Sequence, residues 1–329
     1  MGQGILYFQG ESYFCSLNSV PLKVYSSVDD FPGLPNAVVT IGTFDGVHTG
    51  HMKIIHRLNE VARETGGETV VLTFFPHPRM VLQPDDSDLK LITTMEERKS
   101  LLQKNGIHHL IIQPFSKEFS RISATEFVRD VLLSKMGMKT LVIGYDHHFG
   151  RNREGSYKEL EEMASIYGFR LEEISKQVID EVAVSSTKIR KALQVGDVEA
   201  ANKLLGHEFT LHGEVIKGDK IGTSLGFPTA NIRIQESYKL IPDDGIYAVL
   251  VEVDKVIHKG MLYLGTRPTV DGKKHTSEVN ILDFNKDIYG KSITVYLKTR
   301  IRGDMHFENL EQLKEKMKED LRNATKLLS

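Results

Sequence analysis

The architecture follows from one segment near the start of the chain, Gly42-Thr43-Phe44-Asp45-Gly46-Val47-His48-Thr49-Gly50-His51. The residues before it, Ala37-Val38-Val39-Thr40-Ile41, form a short apolar run that is typical of a buried strand. After it, apolar residues recur at three- and four-residue steps from Ile54 to Ala62, which predicts an amphipathic helix. Open parallel sheets bind ligands at the carboxyl ends of their strands, at turns such as this one that lead into a helix.

The turn carries residues that suit a phosphate. His48 and His51 lie three residues apart at the predicted helix start, beside free backbone N–H groups and the positive end of the helix dipole. Gly46 and Gly50 would let the backbone approach a ligand closely, and Asp45 would hold the turn or a metal ion. A capped turn with surface histidines is the alternative, and the glycine-rich strand end argues against it.

The rest of the first half repeats this alternation of strand and helix. Further strands are predicted at 69–75, 110–113 and 140–143, and helices at 94–105, 124–135 and 157–167. This pattern is typical of an α/β domain with a parallel sheet. We expect the domain to cover residues 20–205.

The second half has a different pattern. Strands are predicted at 209–216, 247–253, 260–265, 278–284 and 293–297, with Gly, Pro and Asp turns between them. Closely spaced strands without intervening helices indicate an antiparallel sandwich or small barrel over residues 206–329. One helix closes the chain, and its apolar stripe is expected to be a packing face: Leu310, Leu313, Met317, Leu321 and Leu328.

Composition narrows the class of protein. The 329 residues include 42 Lys and Arg against 44 Asp and Glu, a net charge of −2, which argues against wrapping of nucleic acid by a basic surface. The single Cys15 excludes an internal disulfide framework and a multi-cysteine zinc site, and no apolar run is long enough to span a membrane. We expect a cytoplasmic protein without nucleic-acid or membrane partners, and a weak homo-oligomer stays open. Residues 1–12 resemble an expression-tag remnant.

Three further segments carry a resemblance to a known family. They are Thr73-Phe74-Phe75-Pro76-His77-Pro78-Arg79, Ile143-Gly144-Tyr145-Asp146-His147-His148-Phe149-Gly150-Arg151 and Val184-Ser185-Ser186-Thr187-Lys188-Ile189-Arg190. With the His-x-Gly-His segment they resemble the signature blocks of the bifunctional riboflavin kinase and FAD synthetase family, although Phe75, His147 and His148 depart from its pattern. The resemblance implies a Rossmann-like nucleotidyltransferase domain joined to a flavokinase β-barrel.

For the first domain, the resemblance implies transfer of an adenylyl group from ATP to FMN. The attacking phosphate is already an anion, so this reaction needs charge stabilisation rather than a general base. His48, His51, Arg190 and Mg²⁺ are expected to supply it. The nucleotide is also expected to contact Gly42, Thr43, Phe44, Asp45, Gly46, Gly50, Asp146, Ser185, Ser186 and Thr187. For the last three residues, helix capping alone is the alternative.

A second glycine-rich segment follows the first strand of the second domain: Gly218-Asp219-Lys220-Ile221-Gly222-Thr223-Ser224-Leu225-Gly226-Phe227-Pro228-Thr229-Ala230-Asn231. It is not a Walker loop, because Asp219 stands where the lysine would be. For the glycines alone a hairpin turn is the simpler interpretation, but the whole string resembles the flavokinase signature. That resemblance implies nucleotide contacts at Gly218, Gly222 and Gly226, with Thr229 and Asn231 as Mg²⁺ ligands.

Phosphorylation of riboflavin needs a base, because the attacking ribityl hydroxyl is neutral. Glu278 matches the family's catalytic glutamate, and strand alternation puts Asn280 on the same face. An isolated glutamate in a strand is normally solvated, so this assignment depends on the resemblance. Arg300 and Arg302 are expected to contact the flavin phosphate or to close the site.

The preferred hypothesis is a bifunctional enzyme with ATP as co-substrate, Mg²⁺ as cofactor, and riboflavin, FMN and FAD as substrates or products. One alternative is another adenylyl- or cytidylyltransferase, against which the second glycine-rich segment argues. The other is a flavin-sensing or nucleic-acid-binding module with idle catalytic residues. The remaining histidines singled out by the motifs are expected to be structural or surface residues: His77, His108, His109, His147 and His148.

Overall fold

The computed structural model describes residues 21–83, 89–145, 149–151, 154–175, 184–218, 226–269 and 272–329. A six-stranded parallel sheet organises the first half, and a closed six-stranded antiparallel barrel organises the second. The fold class expected from the sequence is thereby confirmed. Among the described residues, no helix combines the length and the apolarity that a membrane span requires.

The first half alternates strands and helices. Its strands are β1 (Lys23–Tyr25), β2 (Ala37–Ile41), β3 (Glu68–Phe75), β4 (His109–Pro114), β5 (Met138–Gly144) and β6 (Arg170–Ile174). Its helices include α1 (Thr49–Thr65), α2 (Pro78–Leu82), α3 (Met95–Lys104), α4 (Ala124–Glu126), α5 (Tyr157–Tyr167), α6 (Ser186–Gln194) and α7 (Val198–Leu205). Helix α4 continues as a wider π-type helix over Phe127–Lys135, after a 3₁₀ turn at Phe119–Arg121.

The strand order positions the first site. The order in space is β1-β4-β3-β2-β5-β6, so β3 and β4 lie on one side of β2 while β5 and β6 lie on the other. The direction of winding therefore reverses between β2 and β5. In parallel sheets, ligands bind outside the carboxyl ends of the strands at this reversal. The segment from Gly42 to His48 leaves β2 at that point.

Local signals set the ends of the helices. The His48 side chain caps α1, and α1 ends at Gly66, whose φ of 65° suits glycine. Thr94 and Glu97 form a reciprocal capping box at the start of α3. All five residues of β2 are buried, which requires helices on both faces of the sheet.

The second half is the barrel. Its strands are β7 (Phe209–Ile216), β8 (Ala230–Arg233), β9 (Gly245–Val253), β10 (Val256–Thr269), β11 (Gly272–Ile281) and β12 (Ser292–Gly303), followed by α8 (Leu310–Leu327). The strands close in the order β10-β11-β8-β7-β12-β9. Fully buried residues such as Tyr247, Leu262 and Val279 fill the interior.

One hydrophobic cluster contains residues from both halves of the chain. Residues of α6 and α7 pack in the same cluster as the barrel interior: Ile189, Leu193, Val198, Ala201 and Leu205. Ile92, which precedes α3, belongs to this cluster as well. An ion pair crosses the same boundary, because Lys239 Nζ lies 2.6 Å from Glu97 Oε2 and 2.7 Å from the carbonyl oxygen of Ile92.

The structure differs from the sequence predictions at short elements. The patterns do not predict β1, β6, β8 or α7, which have three, five, four and eight residues and therefore little periodicity to detect. The strand expected at 278–284 ends at Ile281, because the chain turns and Asp283 takes a left-handed φ of 54°.

Two glycines at helix ends allow a matched test of backbone strain. Gly137 and Gly168 have φ of 69° and 72°, but a Cβ on Gly137 would overlap the carbonyl oxygen of Leu34, whereas nothing lies near a Cβ on Gly168. We expect Gly168→Ala to lower the free energy of unfolding by about 1 kcal/mol. Gly137→Ala adds a backbone clash and is expected to lower it by about 2–4 kcal/mol. Urea unfolding of both variants measures the difference, and equal losses would contradict this account.

Candidate active sites

The loop between β2 and α1 is strained. Phe44, Gly46 and Val47 have φ of 47°, 87° and 40°, in the left-handed region. For a β-branched residue such as Val47 this conformation is a true outlier, and such strain costs about 1–3 kcal/mol per residue. Phe44 and Val47 are both buried, so packing helps to hold the loop.

Asp45 lies in the middle of this loop and is completely buried. Its Oδ1 accepts hydrogen bonds from the backbone N–H and the hydroxyl of Thr93, and its Oδ2 accepts from the N–H of Ile92. The Thr93 hydroxyl in turn accepts from the N–H of Gly46 at 3.0 Å. These contacts fasten the loop to the segment that precedes α3.

Two arginines complete the surroundings of this carboxylate. Arg190 Nη2 lies 2.5 Å from Asp45 Oδ2, and Arg98 Nη2 lies 3.4 Å from Oδ1. Arg98 is buried, which lowers the pKa of its guanidinium, while the charge of Asp45 opposes that shift. Asp45 therefore holds the turn, and it would have to give up these partners to bind a metal ion. The sequence predicts that Arg190 contacts the nucleotide. In the structure its guanidinium forms an ion pair with Asp45.

Sequence reasoning missed Arg98 and Thr93. The local signal nearby is the capping pattern Thr94-x-x-Glu97, which locates α3 but does not reveal the partner of Arg98. Their role follows only from the approach of α3 to the loop after β2.

The two imidazoles of the motif come together. The rings of His48 and His51 stack with centroids 3.6 Å apart and planes 14° apart. His48 Nδ1 accepts the N–H of His51 at 3.3 Å, so a neutral His48 ring carries its proton on Nε2. His51 Nδ1 is buried and has no hydrogen-bond partner among the described residues. An unpaired buried nitrogen is a group that a ligand would satisfy.

Burial keeps both rings neutral. It lowers the pKa of His48 to about 4, against the opposing effect of the Asp45 charge. It also lowers the pKa of His51 well below the usual value, with the neighbouring His48 acting in the same direction. Without a ligand, the site therefore presents N–H and lone-pair groups rather than two cations.

The serine-rich block lies next to this loop. Ser185 caps α6 by accepting the N–H of Lys188 at 3.3 Å, and the Ser186 hydroxyl donates to the carbonyl oxygen of Asp45 at 3.1 Å. Thr187 is exposed in the first turn of α6. The block thus caps a helix and also contacts the loop. Asp146 lies outside the described residues.

The other histidines make structural contacts where they are described. His77 Nδ1 accepts the N–H of Arg79 and caps α2, and burial lowers its pKa to about 4. His108 Nδ1 lies 2.7 Å from the hydroxyl of Thr69, and His109 Nε2 lies 2.9 Å from a Glu68 oxygen. His147 and His148 lie outside the described residues.

The second site lies in the barrel. Glu278 on β11 is directly opposite Asn231 on β8, so their side chains share one face of the sheet. The Thr229 hydroxyl donates to Glu278 Oε2 at 3.1 Å. Asn280, two residues further along β11, donates to the carbonyl oxygen of Pro228 at 2.7 Å. A glutamate in a strand is normally exposed to solvent, but Glu278 is only 7% exposed.

Thr229, Glu278 and Asn280 line a cavity of about 470 Å³. Its apolar wall includes Met261 and Tyr263 from the barrel and Leu310, Leu313 and Met317 from α8. The expected packing role of the α8 stripe is confirmed at Leu328, which packs against Ile246 and Met261 of the barrel, whereas Leu310 is exposed. The residues of α8 that are buried against the barrel are Asp320 and Ala324.

The two arginines of β12 are held by protein groups. Arg302 lines the cavity and donates from Nε and Nη2 to the buried carboxylate of Asp320, which anchors α8. Arg300 donates to the carbonyl oxygen of Val195 and to the carboxylate of Asp243, at the junction with α6. Arg300 is not among the residues that line the cavity.

The glycine-rich segment is described only at its ends. Gly218 lies against the side chain of Asn231, where a Cβ would overlap the amide, and Gly226 has a left-handed φ of 88°. Both positions therefore favour glycine. Gly222 lies outside the described residues.

The fold and the two sites define a class of two-domain protein, with a pair of stacked imidazoles at the carboxyl edge of a parallel sheet and a carboxylate in the cavity of a β-barrel. Comparison with known families is more specific. The FAD synthetase family model matches residues 32–188, and the riboflavin kinase family model matches residues 205–328. The chain belongs to the bifunctional riboflavin kinase/FMN adenylyltransferase family.

Individual relatives agree along most of the chain. The bifunctional riboflavin kinase/FMN adenylyltransferase of Listeria monocytogenes is 37% identical over 87% of this chain and 90% of its own length. That of Bacillus subtilis is 35% identical over 89% and 93%. A crystal structure described as a macrolide-efflux protein from Streptococcus pneumoniae has a TM-score of 0.82 at 32% identity, covering 92% of this chain and 98% of that one.

The protonation state of His48 can be measured directly. Because burial favours the neutral ring, we expect its Hε1 resonance in ligand-free protein to stay constant from about pH 8 to about pH 5.5 and to shift only as the pH falls towards 4. Proton NMR of the parent and of His48→Gln assigns the signal. An inflection near pH 6.5, the value of a solvated imidazole, would contradict the argument.

Proposed function

We propose that this chain makes FMN and then FAD. The barrel phosphorylates riboflavin with ATP to give FMN and ADP, and the parallel-sheet half transfers AMP from a second ATP to FMN, with release of pyrophosphate. The observation that carries the proposal is two separate sites of different chemistry on one chain: the stacked His48–His51 pair and Glu278 in the barrel cavity. The names of the relatives, which state both activities, support it.

In the first reaction, a phosphate oxygen of FMN attacks the α-phosphorus of ATP and the bond to the pyrophosphate oxygen breaks. No proton has to be removed from the nucleophile, so donors to the phosphates are what the site must supply. His48 offers its Nε2–H and the first turn of α1 offers free N–H groups. His51 offers a nitrogen that needs a partner.

The remaining motif residues shape the nucleotide site. We assign the shape of the nucleotide site to the loop residues Gly42, Thr43, Phe44, Gly46 and Gly50. The N–H groups of Gly42 and Gly46 already donate to the Leu72 carbonyl oxygen and the Thr93 hydroxyl, so these two residues shape the loop rather than donate to phosphate. A Cβ on Gly50 would lie 3.2 Å from the His48 ring, so glycine there leaves room for the imidazole. Ser185 and Thr187 add hydroxyl donors beside this loop. Arg190 reaches phosphate only by sharing or leaving Asp45.

In the second reaction, the ribityl hydroxyl of riboflavin attacks the γ-phosphorus of ATP and ADP leaves. We assign Glu278 as the base that accepts the hydroxyl proton, because it is a nearly buried carboxylate in the cavity wall. The apolar side chains of the cavity suit the flavin ring. Arg302 positions α8 through Asp320.

Magnesium fits the donors at the second site. Thr229 and Asn231 offer hydroxyl and amide oxygens, the hard ligands that Mg²⁺ prefers, beside the proposed base Glu278 on the adjacent strand. When bound, Mg²⁺ would neutralise charge on the phosphates of ATP. Among the described residues there is no group of three His, Cys, Asp or Glu side chains that could hold a metal ion.

The proposal places these reactions in the reducing cytoplasm, in keeping with the single Cys15.

The first test removes an imidazole. His48→Ala takes away the Nε2–H donor, and FAD formation is expected to fall about 10²- to 10³-fold while FMN formation continues. Chromatography of riboflavin, FMN and FAD during incubation with ATP and Mg²⁺ measures both rates in one sample. FMN formation by the same variant is the folding control.

The second test removes the carboxylate of the barrel site. Glu278→Ala removes the proposed base, so FMN formation from riboflavin is expected to fall about 10²- to 10⁴-fold while added FMN is still converted to FAD. The activity that each variant retains shows that the variant is folded. Equal loss of both activities in either variant would refute two independent sites.

A further inference from the structure

The junction between the two halves lies directly on the loop of the first site. The Thr49 hydroxyl at the start of α1 donates to the carbonyl oxygen of Leu204, at the end of α7, at 2.9 Å. Three residues later, Nε2 of His207 lies 2.9 Å from the carbonyl oxygen of Gly46. The loop is therefore held from two directions, by the Asp45 contacts on one side and by the junction on the other.

Both ring nitrogens of His207 face carbonyl oxygens, which only accept hydrogen bonds. Nε2 lies 2.9 Å from the oxygen of Gly46, and Nδ1 lies 3.0 Å from the oxygen of Glu208. The ring donates to Gly46 when Nε2 carries the proton. His207 is half-buried in this position.

The peptide whose carbonyl oxygen contacts His207 lies where a small movement would alter the orientation of His48. The Gly46 carbonyl belongs to the peptide that joins Gly46 and Val47, both in the left-handed region, immediately before His48. A Cβ on Gly46 would lie 3.1–3.2 Å from Ile92 and Leu205, so the loop is already in close contact with the junction. A small rotation of this peptide would turn His48, and with it the stacked pair.

We propose that His207 is a positioning residue for AMP transfer: it holds the Gly46 carbonyl so that the His48–His51 pair keeps its orientation. The residue lies in the segment matched by the riboflavin kinase family model, so the second domain contributes to the site of the first. The inference rests on the proposed function, because it concerns the rate of FAD formation.

Two substitutions of His207 distinguish the loss of its hydrogen-bond donor from a change in side-chain shape. His207→Phe keeps a planar ring but removes the donor, and it is expected to lower kcat and kcat/KM for FAD formation together by roughly tenfold. His207→Gln keeps an N–H donor and is expected to retain FAD formation within about threefold of the parent. FMN formation from riboflavin is expected to stay within about twofold in both variants.

His212 supplies the matched control. It is an exposed histidine on β7 whose Nδ1 lies 3.0 Å from the Thr294 hydroxyl, remote in its contacts from the loop after β2. His212→Phe is expected to change neither activity by more than about twofold.

The outcomes separate the two proposals. A parent chain that forms no FAD would refute the proposed function itself. If the parent forms FAD, an unchanged rate in His207→Phe would overturn the positioning role. A His207→Gln variant as slow as His207→Phe, or equal loss of both activities in His207→Phe, would assign the residue a general structural role instead.

Discussion

The buried carboxylate of Asp45 is the contact on which the first site depends. A carboxylate without exposed surface is stable only when hydrogen bonds and cations satisfy it, and two guanidiniums and two backbone N–H groups do so here. Two positive groups against one negative group leave an excess of positive charge beside the start of α1. An anionic ligand is thus favoured next to a loop whose strained conformation the same contacts maintain.

These contacts also connect the two halves of the chain. The peptide groups of Ile92 are held on both sides, because its N–H donates to Asp45 and its carbonyl oxygen accepts from Lys239 of the barrel half. Lys239 is only 3% exposed, and burial lowers its pKa while the charge of Glu97 opposes the shift. Removing either partner would leave a buried charge uncompensated. The barrel half therefore supports the first site as well as forming the second.

The sequence predicts what local signals determine. Strand β2 and helices α1 and α5 agree with their patterns because periodicity and capping residues specify them within a few positions. The partner of a charged side chain is not local. Arg190 and Arg302 have the chemistry of phosphate ligands, yet they pair with Asp45 and Asp320, because α6 and α8 pack where those carboxylates lie. Leu310, Leu313 and Met317 of α8 line a cavity for the same reason, because tertiary packing sets the orientation of the helix.

If the imidazole pair binds ATP as proposed, its neutral state explains how the site stays stable before the nucleotide binds. Two imidazolium ions with centroids 3.6 Å apart in a buried site would repel each other and lose their hydration, whereas neutral rings avoid both penalties. A bound triphosphate reverses the balance, because nearby negative charge raises the pKa of an imidazole. Positive charge at His48 and His51 would then grow as the leaving pyrophosphate gains negative charge. The stabilisation would be greatest in the transition state, which is the condition for it to accelerate AMP transfer.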